Sequence, residues 1–313
     1  MPEYRAVREK FGFLELCHHP QAAAEVTVTA AERLGVDAAI IFADILLVLE
    51  PLGLGLQFSA GDGPVLERPI NGPEDVQRLG AYDVDDALGF VYEAIRLTRA
   101  ALAGRVPLIG FSGAPFTLAS YLIEGGGSRQ YLRTKAFMYQ HPAAWEALLA
   151  LLARVINAYL RGQIAAGADA VQLFDSWVGC LSPDDYRHRV LPHSRAALAG
   201  LSGLAPVIHF GTGTSGLLSL MREAGGDVIG VDWRIALDDA WTAIGRDRAI
   251  QGNLDPVTLF ASPDEIRKQA AAILARAARR PGHIFNLGHG ILPQTPVDHV
   301  RALVDAVHEM SAA

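Results

Sequence analysis

Seven short apolar runs punctuate the chain: Ala38–Ala43, Pro107–Phe111, Ala170–Phe174, Pro206–Phe210, Val228–Asp232, Ala249–Gly252 and Ile284–Leu287. Apolar runs without alternation suit strands buried on both faces, as in the middle of a parallel sheet. Longer segments with helical spacing lie between them, among them Ala143–Ala165, Tyr186–Leu201 and Glu265–Ala278. A capping residue followed by Pro or acid marks helix starts at "SPDD" (182), "SPDE" (262) and "TPVD" (295). Strand-then-helix alternation of this kind predicts a parallel α/β sheet.

The runs end alike: in Asp44, "FSGAP" at 111, "FDS" at 174, "HFGTG" at 209, "VDW" at 231, "GNLDP" at 252 and "NLGHG" at 286. A (β/α)8 TIM barrel builds its active site on the loops at those carboxyl ends, so polar and glycine residues gather there. "LQFSAGDGPVLERPI", residues 56–70, breaks the rhythm and reads as a hairpin turned at Ala-Gly-Asp-Gly, inserted on the catalytic side. Seven strands leave one vacancy in a closed barrel of eight. Every later strand already has its helix, so the vacancy falls at the front. There "MPEYRAVREKFGFLELC" reads as the loop and helix that follow a first strand missing from the chain. The expectation is one barrel domain over residues 1–313.

The 313 residues are 50% hydrophobic and 19% charged, with a net charge of −7. That balance argues against a nucleic-acid or anionic-membrane surface, which needs clustered Lys and Arg. Two cysteines, Cys17 and Cys180, do not make a disulfide framework. No apolar stretch approaches the roughly 20 residues of a membrane span. "MPEYRAVREK" has no signal-peptide apolar region. A cytoplasmic globular protein is expected.

Asp44 stands at the rim of a buried strand, and an ionised carboxylate there costs free energy unless something pairs with it. "GTGTSG", 211–216, matches a dinucleotide fingerprint, with Asp232 ending the next strand. Its place at the fourth of seven strands favours a plain barrel turn over a nucleotide site. "CHHP", 17–20, reads as a solvated helix start, since adjacent helical histidines diverge and no second pair has zinc spacing. "IEGGGSRQY", 123–131, lacks the Lys and Ser/Thr of a phosphate loop and reads as a mobile loop over a cleft. His289, flanked by glycines in "GHG", is either satisfied by local backbone or open to a ligand. Ser176 has no nucleophile-elbow pattern and reads as a hydrogen-bond donor. The site then offers Asp44, Tyr121, Ser176, His289 and arginines near the front. One acid facing several donors suits a ligand with N–H groups at its centre and carboxylates around its edge.

"MPEYRAVREKFGFLELC", "DAAIIFADILLVLEPLG", "GFSGAPFTLASYLIEGGGS", "VQLFDSWVGCLSP" and "FNLGHGILPQTPVDHV" resemble the uroporphyrinogen decarboxylase family, from residue 1 to about 308. The resemblance implies a homodimeric (β/α)8 barrel that needs no cofactor. It implies conversion of the four acetate side chains of uroporphyrinogen III to methyls, giving coproporphyrinogen III. Asp44 matches the family aspartate that accepts hydrogen bonds from the four pyrrole N–H groups. Tyr121 matches a tyrosine near that aspartate and a reacting acetate. Ser176 and His289 match residues that bind substrate carboxylates, Phe174 an apolar wall, and Arg8 an arginine associated with carboxylate binding.

One departure stands out. The family's first strand ends in Arg-Gln-Ala-Gly-Arg-Tyr, directly before the segment that here is residues 2–5, and both of those arginines are absent. The expectation is that Met1 is an internal start and that the working protein is longer. Without those arginines the rival reading is a tetrapyrrole-binding paralogue with little turnover. A methyltransferase on the same barrel would bind zinc through His-x-Cys, which "HFG" at 209–211 lacks. An oxidoreductase would rest on "GTGTSG" alone.

Overall fold

A computed structural model of the chain describes residues 1–59 and 63–311. Three helices, Pro2–Arg8, Phe13–Cys17 and Pro20–Leu34, precede the first strand. The strands are β1 (Ala39–Ile40), β2 (Leu56–Ser59), β3 (Gly63–Leu66), β4 (Leu108–Gly113), β5 (Ala170–Asp175), β6 (Val207–Gly211), β7 (Val228–Gly230), β8 (Ala249–Leu254) and β9 (His283–Leu287). Seven of them form one parallel sheet in the order β1-β4-β5-β6-β7-β8-β9, with helices around it. All seven expected strands are therefore present, in barrel order. Among the described residues the edge strands β1 and β9 do not pair with one another. Ile40 and Ile284 on those edges stay 46% and 42% exposed. The vacancy expected from the strand count lies between these two edges.

β2 and β3 form the expected antiparallel hairpin, while its turn at 60–62 lies outside the described residues. The hairpin and the residues after it are braced to the end of helix Pro115–Glu124 and the glycine that follows: Leu66 donates its N–H to the Gly125 carbonyl at 2.9 Å, and Ile70 to that of Leu122 at 2.8 Å. Val65 bridges Gly126.

Helix Pro142–Ala166 packs Trp145, Leu149, Leu152, Ile156 and Tyr159 into the main core. Each such side chain contributes about 1.5–3 kcal/mol on burial. This helix corrects the expectation that no stretch approaches membrane length. It is long and apolar enough to cross a membrane, and 61% of its most apolar window is buried inside the molecule. Here it is a core helix, apolar because most of its circumference is covered.

Two helix expectations are corrected. Tyr186–Leu201 is split into Pro183–Arg189 and Leu191–Leu198 at Val190. Pro192 has no N–H for the turn before it, and its ring blocks that turn's carbonyl, so one helix cannot run through. Ser182 and Ser262 cap as expected, accepting from the Asp185 and Glu265 amides. Thr295 does not cap. Its helix begins at Val297, and Thr295 Oγ1 is buried without a hydrogen-bond partner among the described residues.

Candidate active site

A cleft of about 700 Å³ runs along the open edge of β1, where Leu34, Val36 and Ala38 line it, to the carboxyl ends of the strands. Asp44, Phe174, Ser176 and His289 all line it, brought together from β1, β5 and the segment after β9. Parallel strands place their alternate side chains on the barrel axis. Gln172 and Phe174 on β5 and Phe210 on β6 face the cleft, while Leu173 and His209 face the helices.

Asp44 sits in the turn that leaves β1 for the 3-10 helix Leu47–Leu52. The Leu46 N–H donates to its Oδ1 at 2.8 Å, and no cation pairs with the carboxylate among the described residues. Burial pushes its carboxyl up to about 6, and the Leu46 amide opposes that only in part. Its neighbour Cys17 is buried, and burial together with the charges of Asp44 and Glu50 pushes the thiol up to about 12.

Tyr121 lies on helix Pro115–Glu124, beside the cleft rather than on its lining. Burial and the nearby Asp44 charge both hold the phenol proton on well above its ordinary range. The ring stacks on Trp177, with centroids 3.9 Å apart and planes 29° from parallel. The Ser176 carbonyl accepts from the Thr212 hydroxyl, which fixes the turn after β5.

His289 is exposed, with only a 3.4 Å contact from Nδ1 to the Gly290 carbonyl. Local backbone thus meets one ring nitrogen, and the exposure of the ring leaves room for a ligand beside it. Its flanking glycines differ. A Cβ on Gly288 would lie 2.7 Å from the Trp233 nitrogen, so that glycine serves packing, whereas Gly290 faces open space.

Arg8 stands apart from the cleft lining. Its Nη1 donates to the Phe11 carbonyl at 2.6 Å, and its guanidinium lies 5.6 Å from the Phe13 ring centroid. Phe13 in turn packs edge-on against Phe42, which does line the cleft.

The remaining sequence candidates take structural roles. Asp232 accepts the Gly213 N–H at 2.7 Å and pairs with Arg234, so the acid of the "GTGTSG" pattern fastens the loop itself. His19 caps its helix by accepting from the Ala22 amide, as a helix start should. His209 is buried against the Gly225 carbonyl, and burial lowers its imidazolium to about 4. Among the described residues no three His, Cys, Asp or Glu side chains converge as metal ligands.

Sequence reasoning missed most of the apolar wall. Phe111, Phe174 and Phe210 form an edge-to-face row, with centroids 5.5 and 5.7 Å apart. The signal was available, since "FSGAP", "FDS" and "FGTG" each open on a phenylalanine at consecutive strand ends. Gln172 and Gln251, buried and in contact at 3.4 Å, add an amide floor that no motif announces.

The family profile described as "Uroporphyrinogen decarboxylase (URO-D)" matches residues 1–310. This chain belongs to the uroporphyrinogen decarboxylase family. A uroporphyrinogen decarboxylase of Carboxydothermus hydrogenoformans is 53% identical over 313 residues, covering 100% of this chain and 89% of the relative. One from Chloroflexus aurantiacus is 56% identical over 312 residues, covering 98% and 88%. Among solved structures, a methyltransferase from Methanosarcina mazei superposes with a TM-score of 0.83 at 21% identity, covering 97% of this chain and 90% of its own. At that identity the likeness concerns the (β/α)8 fold alone.

Proposed function

We propose that this chain decarboxylates uroporphyrinogen III, converting its four acetate side chains to methyls and giving coproporphyrinogen III. The observation that carries the reading is Asp44. It is a half-buried carboxylate at a 700 Å³ cleft, with one oxygen held by Leu46 and no cation paired with it among the described residues. A carboxylate so placed is costly until it meets donors, and a ring of pyrrole N–H groups supplies them.

The chemistry follows from charge. Protonating a pyrrole carbon beside an acetate makes the ring cationic. The carboxylate then leaves as CO2, and its bonding pair flows into that ring. Proton capture at the exocyclic carbon leaves a methyl, and loss of the ring proton restores the pyrrole. Asp44, fixed in advance by Leu46, stabilises positive charge where it develops. The substrate is its own electron sink, so the step needs no cofactor.

Tyr121, protonated beside Asp44, supports a role at the reacting acetate. Ser176 and His289 offer donors to the peripheral carboxylates, and Phe174 with Phe111 and Phe210 covers a pyrrole face. Arg8, turned towards Phe11 and Phe13, reaches a carboxylate only on leaving that carbonyl. Residues 1–313 act as one barrel domain, as a homodimer in the cytoplasm.

The test is anaerobic turnover of uroporphyrinogen III by the protein at its full natural length. Coproporphyrinogen and CO2 are expected. Tetrapyrrole binding without CO2 release would replace the reading with a non-catalytic binder.

A further inference from the structure

Asp175 is fully buried between Phe174 and Ser176, which line the cleft, and is not itself part of the lining. Its Oδ1 accepts the Thr117 hydroxyl at 3.1 Å, and its Oδ2 has no hydrogen-bond partner among the described residues. Burial pushes this carboxyl up to about 7, opposed in part by the Thr117 bond. A buried carboxyl with one oxygen unpartnered weakens the fold by itself, so its use lies in what it holds.

What it holds is a hydroxyl, also fully buried and given a single orientation. The Thr117 proton is committed to Asp175, so its oxygen faces the other way and accepts the Trp177 N–H at 3.3 Å. Thr117 and Tyr121 lie one turn apart on helix Pro115–Glu124, hence on one face. Trp177 thus meets that helix at two points. Its backbone rests on Thr117 and its indole on Tyr121, with Tyr131 tilted against the indole at 5.1 Å. The same turn is also closed at Gly179, where a Cβ would clash with the Thr212 carbonyl oxygen.

We propose that Asp175 and Thr117 are positioning residues for the decarboxylation site: they clamp Trp177 onto the helix bearing Tyr121 and so fix where the phenol stands beside Asp44. The inference rests on the reading that places Tyr121 at the reacting acetate. Neither residue meets substrate. Their effect runs through a peptide N–H and an indole face. A phenol free to swing loses alignment with the reacting atoms, and misalignment of about an ångström costs up to about a hundredfold in rate.

The experiment is a double-mutant cycle on the full chain, measuring kcat and KM with uroporphyrinogen III and following the thermal midpoint alongside. Thr117→Val is expected to lower kcat about tenfold or more while KM moves less than about twofold. Thr117→Ser and Asp175→Asn keep the hydroxyl and its acceptor, and restore kcat to within about threefold of the parent. In a Tyr121→Phe background, Thr117→Val is expected to cost nothing further, because the residue it positions has lost its hydroxyl. Should the valine variant not fold, Thr117→Ala takes its place in the cycle.

Multiplicative losses in the double variant would overturn the inference while leaving Tyr121's role intact, as would a folded Thr117→Val with parental kcat. Failure of both conservative variants to restore kcat would overturn it too. A Tyr121→Phe variant with unchanged kcat would remove the reading beneath the inference, and the inference with it.

Discussion

The amide of Leu46 donates to Oδ1 of Asp44 at 2.8 Å, two residues along the same turn. This contact decides which oxygen remains for a ligand. It also ties the carboxylate to the backbone, so the charge does not swing away when the cleft is open. Asp44→Asn keeps the size and the Leu46 contact but loses the charge. It is expected to lower kcat by about a hundred- to a thousandfold, the scale of one preorganised electrostatic contact. A loss below about tenfold in steady-state turnover would remove Asp44 from the mechanism.

Acidity gives a second check on the same residue. Its carboxyl is raised to about 6, so protonation of the free protein sets in below that pH. The kcat/KM profile, which reports the free protein, is expected to fall about tenfold per unit below pH ~6. For stability the sign is the raised-carboxyl one. The contribution is fully present below the unfolded value near 3.8 and lost as pH rises through about 6. Asp44→Asn is therefore expected to exceed the parent by on the order of 1–3 kcal/mol at pH 8, with the gap closing by pH 4. Thermal midpoints of both proteins across that range would show it.

His209 carries the opposite dependence. Burial lowers its folded value from 6.5 to about 4, so its contribution is present above 6.5 and lost as pH falls through 4. His209→Asn is expected to flatten the parent's loss of stability between those values, a difference on the order of 3 kcal/mol. Urea midpoints at pH 7 and pH 4 measure it. Parallel curves would place the acid sensitivity elsewhere.

Gly288 is a packing site beneath a binding one. A methyl there would meet the Trp233 nitrogen at 2.7 Å and the Asp232 Cα at 3.0 Å. Gly288→Ala is expected to cost about 1–3 kcal/mol in denaturant titration. It should also raise KM for uroporphyrinogen, because the neighbouring His289 is carried outward with the strand end.

Ser176→Ala and His289→Ala each remove one donor from the cleft rim. A hydrogen bond to a charged group is worth about 1.5–3 kcal/mol, so KM is expected to rise on the order of tenfold or more for each. Similar kcat would mark both as carboxylate holders. A fall in kcat at constant KM would move His289 into the proton-transfer step.

The strands were legible because burial on both faces writes continuous apolar runs, and each run from Ala38 to Leu287 became a strand of the sheet. Four of the six site residues expected from resemblance line one cleft, since the curled parallel sheet brings the carboxyl ends of its strands together. Tyr121 and Arg8 mark the limit. Sequence places a residue on a helix, but its neighbours on distant segments decide where a long side chain rests. Tyr121 turns to Trp177, and Arg8 to the carbonyl of Phe11. The break at Val190 was legible in Pro192, whereas the unused cap at Thr295 was not, because "TPVD" has the same local form as the two motifs that do cap.

The brace between the hairpin region and the end of helix Pro115–Glu124 has a dynamic consequence. Leu66 and Ile70 donate into the segment that follows Tyr121's own helix turn. The two segments cannot part at one point without releasing the other, so they move as a single panel. Opening of that panel would then be one cooperative event, visible as a shared amide-exchange rate for Leu66 and Ile70 rather than two independent ones.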